Sequence, residues 1–231
     1  MTKYKHIFFD LDRTIWNFDK NSIEVLKDIF SKYDLEKKGI PSFDKFYEVY
    51  YEINHELWAK YRIGAIKKDF LSLERFWATL RHFSIDEKDT AYNMSQDYVK
   101  LSPFKTHLFP NSHEILNYLK EKYTLHLITN GFAEVQTLKI KNSNLEQYFD
   151  EVIISEQTPW KKPNPAIFKY AINQVDAKPE DCIMIGDDIK ADIQGAASVG
   201  MDNIWTNLIN GTSDYKPMYE VNDLIEIKDI L

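Results

Sequence analysis

Four short apolar segments of this sequence each end in a polar loop. They cover residues 5–9, 125–129, 152–155 and 183–187, and the stretches between the last three carry apolar residues at three- and four-residue spacing. Short apolar runs predict buried parallel strands, and the spacing between them predicts amphipathic helices. Alternation of the two element types predicts an α/β fold with a doubly wound parallel sheet. On the helix after residues 125–129, we expect Val135, Leu138 and Ile140 to form the apolar face.

Residues 18–102 lack comparable strand segments and carry helical periodicity instead, as in Ile23, Leu26 and Ile29. The length fits four helices, with Gly39 and Gly64 as breaks between them. We therefore predict two domains. Residues 1–17 and 103–231 form the α/β core, and residues 18–102 form a helical insertion.

Charge and composition exclude several classes of partner. The net charge of −7 and the absence of a basic run argue against binding of a nucleic-acid polymer. No apolar run reaches the length of a membrane span, and the first residues, MTKYKHIFFDLDRT, predict neither a signal peptide nor a membrane anchor. With Cys182 as its single cysteine, the chain is expected in the reducing cytoplasm, as a monomer or small homo-oligomer.

Two aspartates directly follow the first predicted strand. Asp10 and Asp12 lie where ligands bind in an open α/β sheet, beyond the carboxyl end of a strand. Two carboxylates this close repel each other unless a cation lies between them, so the pair is a candidate Mg²⁺ site. A solvated turn would explain the same residues without any ligand.

Polar residues also follow the second and third predicted strands. Thr129, Asn130 and the glycine after them offer donors to an oxyanion, although a capped turn has the same composition. Lys161 and Lys162 precede Pro163 and a predicted helix. A lysine at a helix start opposes the helix dipole, which is tolerable where the ammonium faces carboxylates or phosphate.

The loop after the fourth strand carries Asp187, Asp188 and Asp192, of which the first two could equally cap the next helix. Parallel strands bring all four loops to one edge of the sheet. An aspartate pair, a hydroxyl, a lysine and further aspartates at one edge are the groups that phosphoryl transfer needs. A small phosphorylated molecule is therefore the expected substrate.

The four loops resemble the motifs of the haloacid dehalogenase superfamily, present here in family order as DLDRT, TN, KP and GDDIKAD. The resemblance implies a Rossmann-like core with an inserted α-helical cap of the C1 type. It also implies that Asp10 is the nucleophile, forming an aspartyl phosphate, and that Asp12 is the general acid/base. Because the dehalogenating branch does not keep an aspartate at the position of Asp12, the resemblance implies a phosphatase.

The same resemblance assigns the remaining site residues. Thr129, Asn130 and Lys162 would bind the phosphoryl group, with Lys162 preferred to Lys161 because it immediately precedes the proline. Mg²⁺ would be held by Asp10, the main-chain carbonyl of Asp12 and Asp187. Auxiliary positions are Asp188 and Asp192.

Three further stretches, NHELWAKYRIGAI, LITNGFAEVQ and YFDEVIISE, are similar to the pyrimidine 5′-nucleotidase branch. Its members remove phosphate from nucleoside monophosphates, and Trp16, Trp58 and Tyr61 are candidates to stack a nucleobase. A sugar phosphomutase, a sugar phosphatase or a pyrophosphatase of the same superfamily would share the core motifs. A non-catalytic phospho-aspartate switch would not, because receiver domains place the acceptor aspartate on a later strand.

Overall fold

The computed structural model describes residues 3–231, and these residues divide into two compact units. One unit contains the described residues up to Phe18 together with Thr106–Leu231, and the other contains Asp19–Lys105. Within the described residues, no helix combines the length and apolar character that a membrane crossing requires.

The first unit is built on six parallel strands: β1 His6–Phe9, β2 Thr124–Thr129, β3 Phe149–Ile154, β4 Cys182–Gly186, β5 Asp202–Thr206 and β6 Tyr219–Val221. Their order across the sheet is β3-β2-β1-β4-β5-β6. The four strands predicted from the sequence are confirmed within a few residues, and the parallel α/β architecture with them. The edge strands β5 and β6 were not predicted.

Strand β1 lies between β2 and β4 and pairs with both. Phe9 is level with Leu127 of β2 and with Ile185 of β4, and the main-chain N–H of Asp10 donates to the Ile185 carbonyl at 2.9 Å. The strand order reverses at this point, which is where open α/β sheets bind ligands. Asp10 therefore leaves the sheet at its topological switch point.

Alternate side chains of β1 are buried on opposite faces of the sheet. Ile7 and Phe9 pack on one face with Leu127 and Ile185, whereas Phe8 packs on the other with Ile128. Ile7, Phe8 and Phe9 have no exposed surface. Because both faces of the sheet are covered, the strand consists of consecutive apolar residues rather than of alternating apolar and polar residues.

Helices cover both faces of this sheet. They are α5 Ser112–Lys120, α6 Ala133–Asn142 and α7 Pro165–Gln174, and a π-helical turn over Ile189–Gln194 continues into the short α8 over Gly195–Ala197. Short 3₁₀ helices occur in this unit at Glu146–Tyr148, Ser155–Gln157, Pro179–Asp181 and Leu224–Asp229, and in the other unit at Ser102–Phe104.

The second unit is helical, and the prediction of four helices in this part of the chain is confirmed. They are α1 Phe18–Lys32, α2 Phe43–Arg62, α3 Lys68–His82 and α4 Lys88–Leu101. Gly39 and Gly64 lie between helices with φ of 105° and 75°, backbone angles that glycine adopts at little cost. The helices enclose an apolar core that includes Leu26, Phe46 and Phe76.

Candidate active site

A buried lysine joins two aspartates at the carboxyl edge of the sheet. Lys162 Nζ lies 2.6 Å from Asp10 Oδ1 and 2.6 Å from Asp192 Oδ1. Lys162 is 2% exposed and Asp192 is 1% exposed. The second carboxylate oxygen of Asp192 accepts from the Asp188 main-chain N–H at 3.1 Å. Both Asp192 oxygens are therefore engaged, one with the lysine and one with the loop after β4.

Burial sets the protonation of this cluster. Burial raises the pKa of Asp10 to about 7, and the charges of Asp192 and Asp12 act in the same direction, while the Lys162 ammonium opposes them. Burial alone would lower the pKa of Lys162, but Asp10 and Asp192 more than offset it, so this pKa lies above its usual range. Lys162 is therefore a cation, and the carboxylates around it repel one another.

Asp187 brings a further carboxylate to the same place. Its Oδ1 lies 3.5 Å from Thr14 Oγ1, and its main-chain carbonyl accepts from the indole N–H of Trp205 at 2.8 Å. Burial raises the pKa of Asp187 well above its usual range, and the charges of Asp10 and Asp192 raise it further. A third negative charge next to Asp10 is therefore unfavourable without a cation.

Three carboxylates meet the distance requirement of a metal site. One oxygen from each of Asp10, Asp187 and Asp192 lies within 4.8 Å of the others. Oxygen-only ligands from carboxylates suit Mg²⁺. Both oxygens of Asp192 accept hydrogen bonds, whereas within the described residues the side-chain hydrogen bonds of Asp10 and Asp187 are to Oδ1 alone, so Asp10 and Asp187 are better placed to bind a metal directly. The donor set fits a divalent cation.

Asp188 lies at the start of the π-helical turn and caps it. Its Oδ1 accepts from the main-chain N–H groups of Lys190 at 2.9 Å and Ala191 at 2.8 Å. The capping interpretation of this residue is confirmed. The cap holds the loop that carries Asp187, so Asp188 supports the cluster through the main chain.

The loop after β2 contacts the cluster through Asn130. Asn130 Oδ1 accepts from the Lys162 N–H, and Asn130 Nδ2 donates to the Lys162 carbonyl, both at 2.9 Å. The Lys162–Pro163 peptide bond is cis. Since the main chain of Lys162 takes one proton of Asn130 Nδ2 and bonds to Oδ1, a contribution of Asn130 to phosphate binding would have to come from the second Nδ2 proton or from its main-chain N–H.

Asp12 is held by two residues that the sequence analysis did not select, Gln136 and Lys139 of α6. Lys139 Nζ lies 2.6 Å from Asp12 Oδ1, and Gln136 Nε2 lies 2.9 Å from Asp12 Oδ2. Gln136 Nε2 also donates to Thr129 Oγ1 at 2.7 Å, so one amide joins the β2 loop to the β1 loop. Burial lowers the pKa of Lys139, while Asp12 opposes that effect.

The buried face of α6 differs from the predicted one. It consists of Val135, Gln136, Lys139 and Ile140, whereas Leu138 is 39% exposed. Since successive helical residues turn by about 100°, Leu138 lies roughly 130° from the middle of that face. The prediction that Leu138 belongs to the buried face is wrong. A search for polar residues at the spacing of buried apolar ones would have found Gln136 and Lys139.

Two glycines make room for the side chains of the site. A Cβ on Gly131 would lie 2.4 Å from Gln136 Cδ, and a Cβ on Gly186 would lie 2.4 Å from Asp192 Oδ2. Both distances are shorter than any van der Waals contact. The glycines of the second and fourth motifs therefore allow Gln136 and Asp192 to approach the backbone.

The aromatic candidates lie in different surroundings. Trp16 is 1% exposed, and Lys139 Nζ lies 3.9 Å from the centroid of its ring. In the helical unit, the rings of Trp58 and Tyr61 meet edge to face with centroids 5.5 Å apart, and Tyr61 is 5% exposed. Base stacking by these residues stays a prediction, which the burial of Trp16 disfavours for that residue.

Residues 4–200 match the sequence pattern of the haloacid dehalogenase-like hydrolases. The chain is 33% identical to pyrimidine 5′-nucleotidase PynA of Streptococcus pneumoniae over 99% of this chain and 95% of the relative. It is 27% identical to pyrimidine 5′-nucleotidase YjjG of Escherichia coli over 99% and 98% of the two chains. This chain superposes on the crystal structure of the haloacid dehalogenase (HAD) hydrolase YfnB of Bacillus subtilis, which was solved with magnesium bound. The TM-score is 0.87 at 27% identity, and the match covers 99% of each chain.

Proposed function

The chain belongs to the haloacid dehalogenase-like hydrolases, and on that premise we propose that it is a Mg²⁺-dependent phosphomonoesterase that acts on pyrimidine nucleoside 5′-monophosphates. One observation carries the chemistry: Lys162 bridges Asp10 and Asp192 at the switch point of the sheet, with Asp187 within metal-binding reach. The substrate class rests on the two pyrimidine 5′-nucleotidases to which the chain is similar.

The proposed reaction begins at Asp10. A carboxylate oxygen of Asp10 attacks phosphorus, the bond between phosphorus and the ester oxygen breaks, and Asp12 gives a proton to the leaving oxygen. Water then attacks the phosphorus of the aspartyl phosphate, and Asp12 accepts the proton of that water. Inorganic phosphate leaves, Asp10 is again a free carboxylate, and Asp12 again carries the proton that it gave to the leaving oxygen.

The other residues of the cluster bind and orient. The Lys162 ammonium offsets the negative charge of Asp10 and of the incoming phosphoryl group. Thr129 Oγ1, already held by Gln136, can turn its own hydroxyl proton towards a phosphoryl oxygen. Asn130 holds the main chain of Lys162, which places the ammonium.

Magnesium fits the donor set formed by Asp10 and Asp187, with the main-chain carbonyl of Asp12 as a further oxygen ligand. When bound, the ion neutralises negative charge that develops on the phosphoryl oxygens. It would also relieve the repulsion between carboxylates, which adds to burial in raising the pKa values of Asp10 and Asp187.

We further propose that the helical insertion, residues 18–102, is the cap domain and that Trp58 and Tyr61 help select the substrate. Replacement of Trp58 by alanine would then raise KM for a nucleoside monophosphate and leave KM for a small alkyl phosphate unchanged. An equal rise for both esters would contradict a base-stacking role.

The test is phosphate release from nucleoside monophosphates, sugar phosphates and pyrophosphate, with Mg²⁺ and with a chelator. We expect pyrimidine monophosphates to give the highest kcat/KM, and Asp10→Asn to lower turnover by about a thousandfold or more. Asn is nearly the same size as Asp, so the variant should fold. A sugar phosphate as the best substrate would overturn the nucleotidase assignment, and full activity of Asp10→Asn would overturn the mechanism.

A further inference from the structure

Two residues about one helical turn apart on α6 each donate to a different oxygen of the Asp12 carboxylate. Lys139 donates to Oδ1 at 2.6 Å and Gln136 donates to Oδ2 at 2.9 Å. One donor on each oxygen fixes the plane of the carboxylate as well as its position. Each oxygen keeps a second lone pair, so this arrangement leaves room for a proton on the side that faces a substrate.

The burial of Lys139 is costly for a residue that only fills space. Lys139 is 3% exposed, and removal of an ammonium from water costs several kcal/mol unless a partner compensates. Its compensation comes from Asp12 on one side and from the Trp16 ring, 3.9 Å from Nζ, on the other. The Phe18 ring is also close, with its centroid 5.5 Å from Nζ.

An apolar side chain of similar length would fill the same volume without the desolvation cost, and buried ion pairs are weak contributors to stability. The Lys139 ammonium is nevertheless aimed at Asp12, the residue to which the proposed mechanism gives both proton transfers. A role in the placement of that carboxylate accounts for a buried cation at this position.

Gln136 extends the same arrangement to the phosphate-binding loop. Its fully buried Nε2 donates to Thr129 Oγ1 at 2.7 Å and to Asp12 Oδ2 at 2.9 Å. An amide nitrogen carries two protons, so these two bonds use both of them. The positions of Thr129 and Asp12 are therefore coupled through one rigid group.

We propose that Lys139 and Gln136 are positioning residues for proton transfer, which hold the Asp12 carboxylate in the orientation that reaches the leaving-group oxygen. The inference rests on the proposed function, because it requires Asp12 to protonate a leaving group. It predicts a cost that depends on how much the leaving group needs that proton.

The experiment replaces Lys139 by methionine, which keeps the length of the side chain and removes its charge. The matched control is Lys141→Met on the same helix, because Lys141 is exposed. Two esters are compared by kcat/KM, which reports the steps up to transfer of the phosphoryl group. One is a nucleoside monophosphate, whose alkoxide needs a proton, and the other is p-nitrophenyl phosphate, whose phenolate leaves without one.

We expect Lys139→Met to lower kcat/KM for the nucleoside monophosphate by about 100-fold, within the range of general acid catalysis. For p-nitrophenyl phosphate we expect a change of less than about threefold, because that ester gains little from a proton donor. Lys141→Met should match the unmodified protein with both esters. Equal losses on the two esters, or no loss on either, would overturn the inference and leave the proposed function standing.

Failure of the proposed function gives a different result. If the unmodified protein hydrolyses neither ester with Mg²⁺ present, the proposed function fails and the inference fails with it. Gln136→Met supplies a second variant in case Lys139→Met does not fold, as judged by thermal unfolding. Because Gln136 also holds Thr129, which both esters use, this variant should lose activity on both but lose more on the nucleoside monophosphate. Equal losses on the two esters would again contradict the inference.

Discussion

The side-chain amide of Asn130 makes both of its hydrogen bonds to the main chain of a single residue, Lys162. Asn130 thus acts as a bracket between the loop after β2 and the loop that carries the buried ammonium. The two residues are 32 positions apart in the chain. The bracket explains why an asparagine is useful here: only an amide side chain offers one donor and one acceptor side by side.

We expect Asn130→Asp to weaken both folding and activity. One carboxylate oxygen would face the Lys162 carbonyl where an N–H now donates, so a hydrogen bond becomes a repulsion and the free energy of unfolding falls by about 1 to 3 kcal/mol. Displacement of Lys162 should lower kcat/KM by about 10- to 100-fold. Denaturant unfolding and phosphate release measure these effects, with the exposed Asn173→Asp as control. Unchanged activity would show that the bracket does not place Lys162.

Gly186→Ala should disturb Asp192 and, through it, Lys162. The new Cβ would lie 2.4 Å from Asp192 Oδ2, so the carboxylate must move. Overpacking of this kind costs about 1 to 3 kcal/mol of folding free energy, and we expect phosphate release to fall with it. Gly211→Ala is the control, because its Cβ would meet nothing closer than 3.4 Å. A stable, fully active Gly186→Ala variant would contradict the packing argument.

Magnesium should stabilise the protein against heat. An ion that binds only the folded state at ten times its Kd adds about 1.4 kcal/mol to the free energy of unfolding, or about 3 to 6 °C in Tm for a chain of this size. Asp187→Asn should abolish that increase, because it removes a proposed ligand. Differential scanning calorimetry with and without Mg²⁺ provides the measurement. An equal Mg²⁺ effect in both proteins would place the ion elsewhere.

Acid should destabilise the fold through His126 of β2. His126 is fully buried, its Nδ1 accepts from the Glu151 N–H at 3.3 Å, and its Nε2 lies 3.1 Å from His6 Nδ1. Burial lowers the pKa of His126 to about 4, with the nearby His6 acting in the same direction. Between pH 6.5 and about 4 the unfolded chain therefore binds a proton at His126 that the folded chain does not, and stability falls as the pH falls.

The expected loss from this group is about 2 kcal/mol on going from pH 8 to pH 5. Urea unfolding at several pH values measures it. In His126→Gln the fall over this pH interval should be smaller by that amount, whereas in the control His82→Gln, at an exposed position, it should match the unmodified protein. Parallel pH profiles for all three proteins would show that His126 does not titrate as its burial requires.

The central strands were predictable because a strand buried on both faces consists of consecutive apolar residues, as β1 and β4 do. Strand β5 was not predicted because it contains polar residues that are nonetheless buried. Asn203 is 5% exposed, and its Oδ1 accepts from the Met218 N–H at 3.0 Å. Strand β6 is only three residues long. The partners that make a polar strand stable are contributed by distant parts of the chain, which a local pattern does not contain.

The residues of the site also include some that the sequence predicts and some that only the structure reveals. The loops after β1, β2 and β4 were identified because motif residues lie directly after apolar runs, and the parallel sheet brings those loops together. Gln136 and Lys139 were missed because they lie mid-helix, where a polar residue ordinarily indicates a solvated face. Their partner, Asp12, is 127 positions from Lys139 along the chain. Only the fold reveals that this polar stretch of α6 points at a carboxylate rather than at water.

The central position of β1 has a consequence for how the protein is made. His6 pairs with Thr124 and with Cys182, so β1 is synthesised before either of its neighbours and gains the second of them only when β4 has been made. At about 5 to 20 residues per second, its apolar side chains wait on the order of 10 to 30 s for β4. The helical unit Asp19–Lys105 is contiguous and can fold during that interval. Until β4 has been made, the apolar side chains that precede Asp10 lack the sheet that buries them in the folded protein, so this segment is prone to aggregate during synthesis.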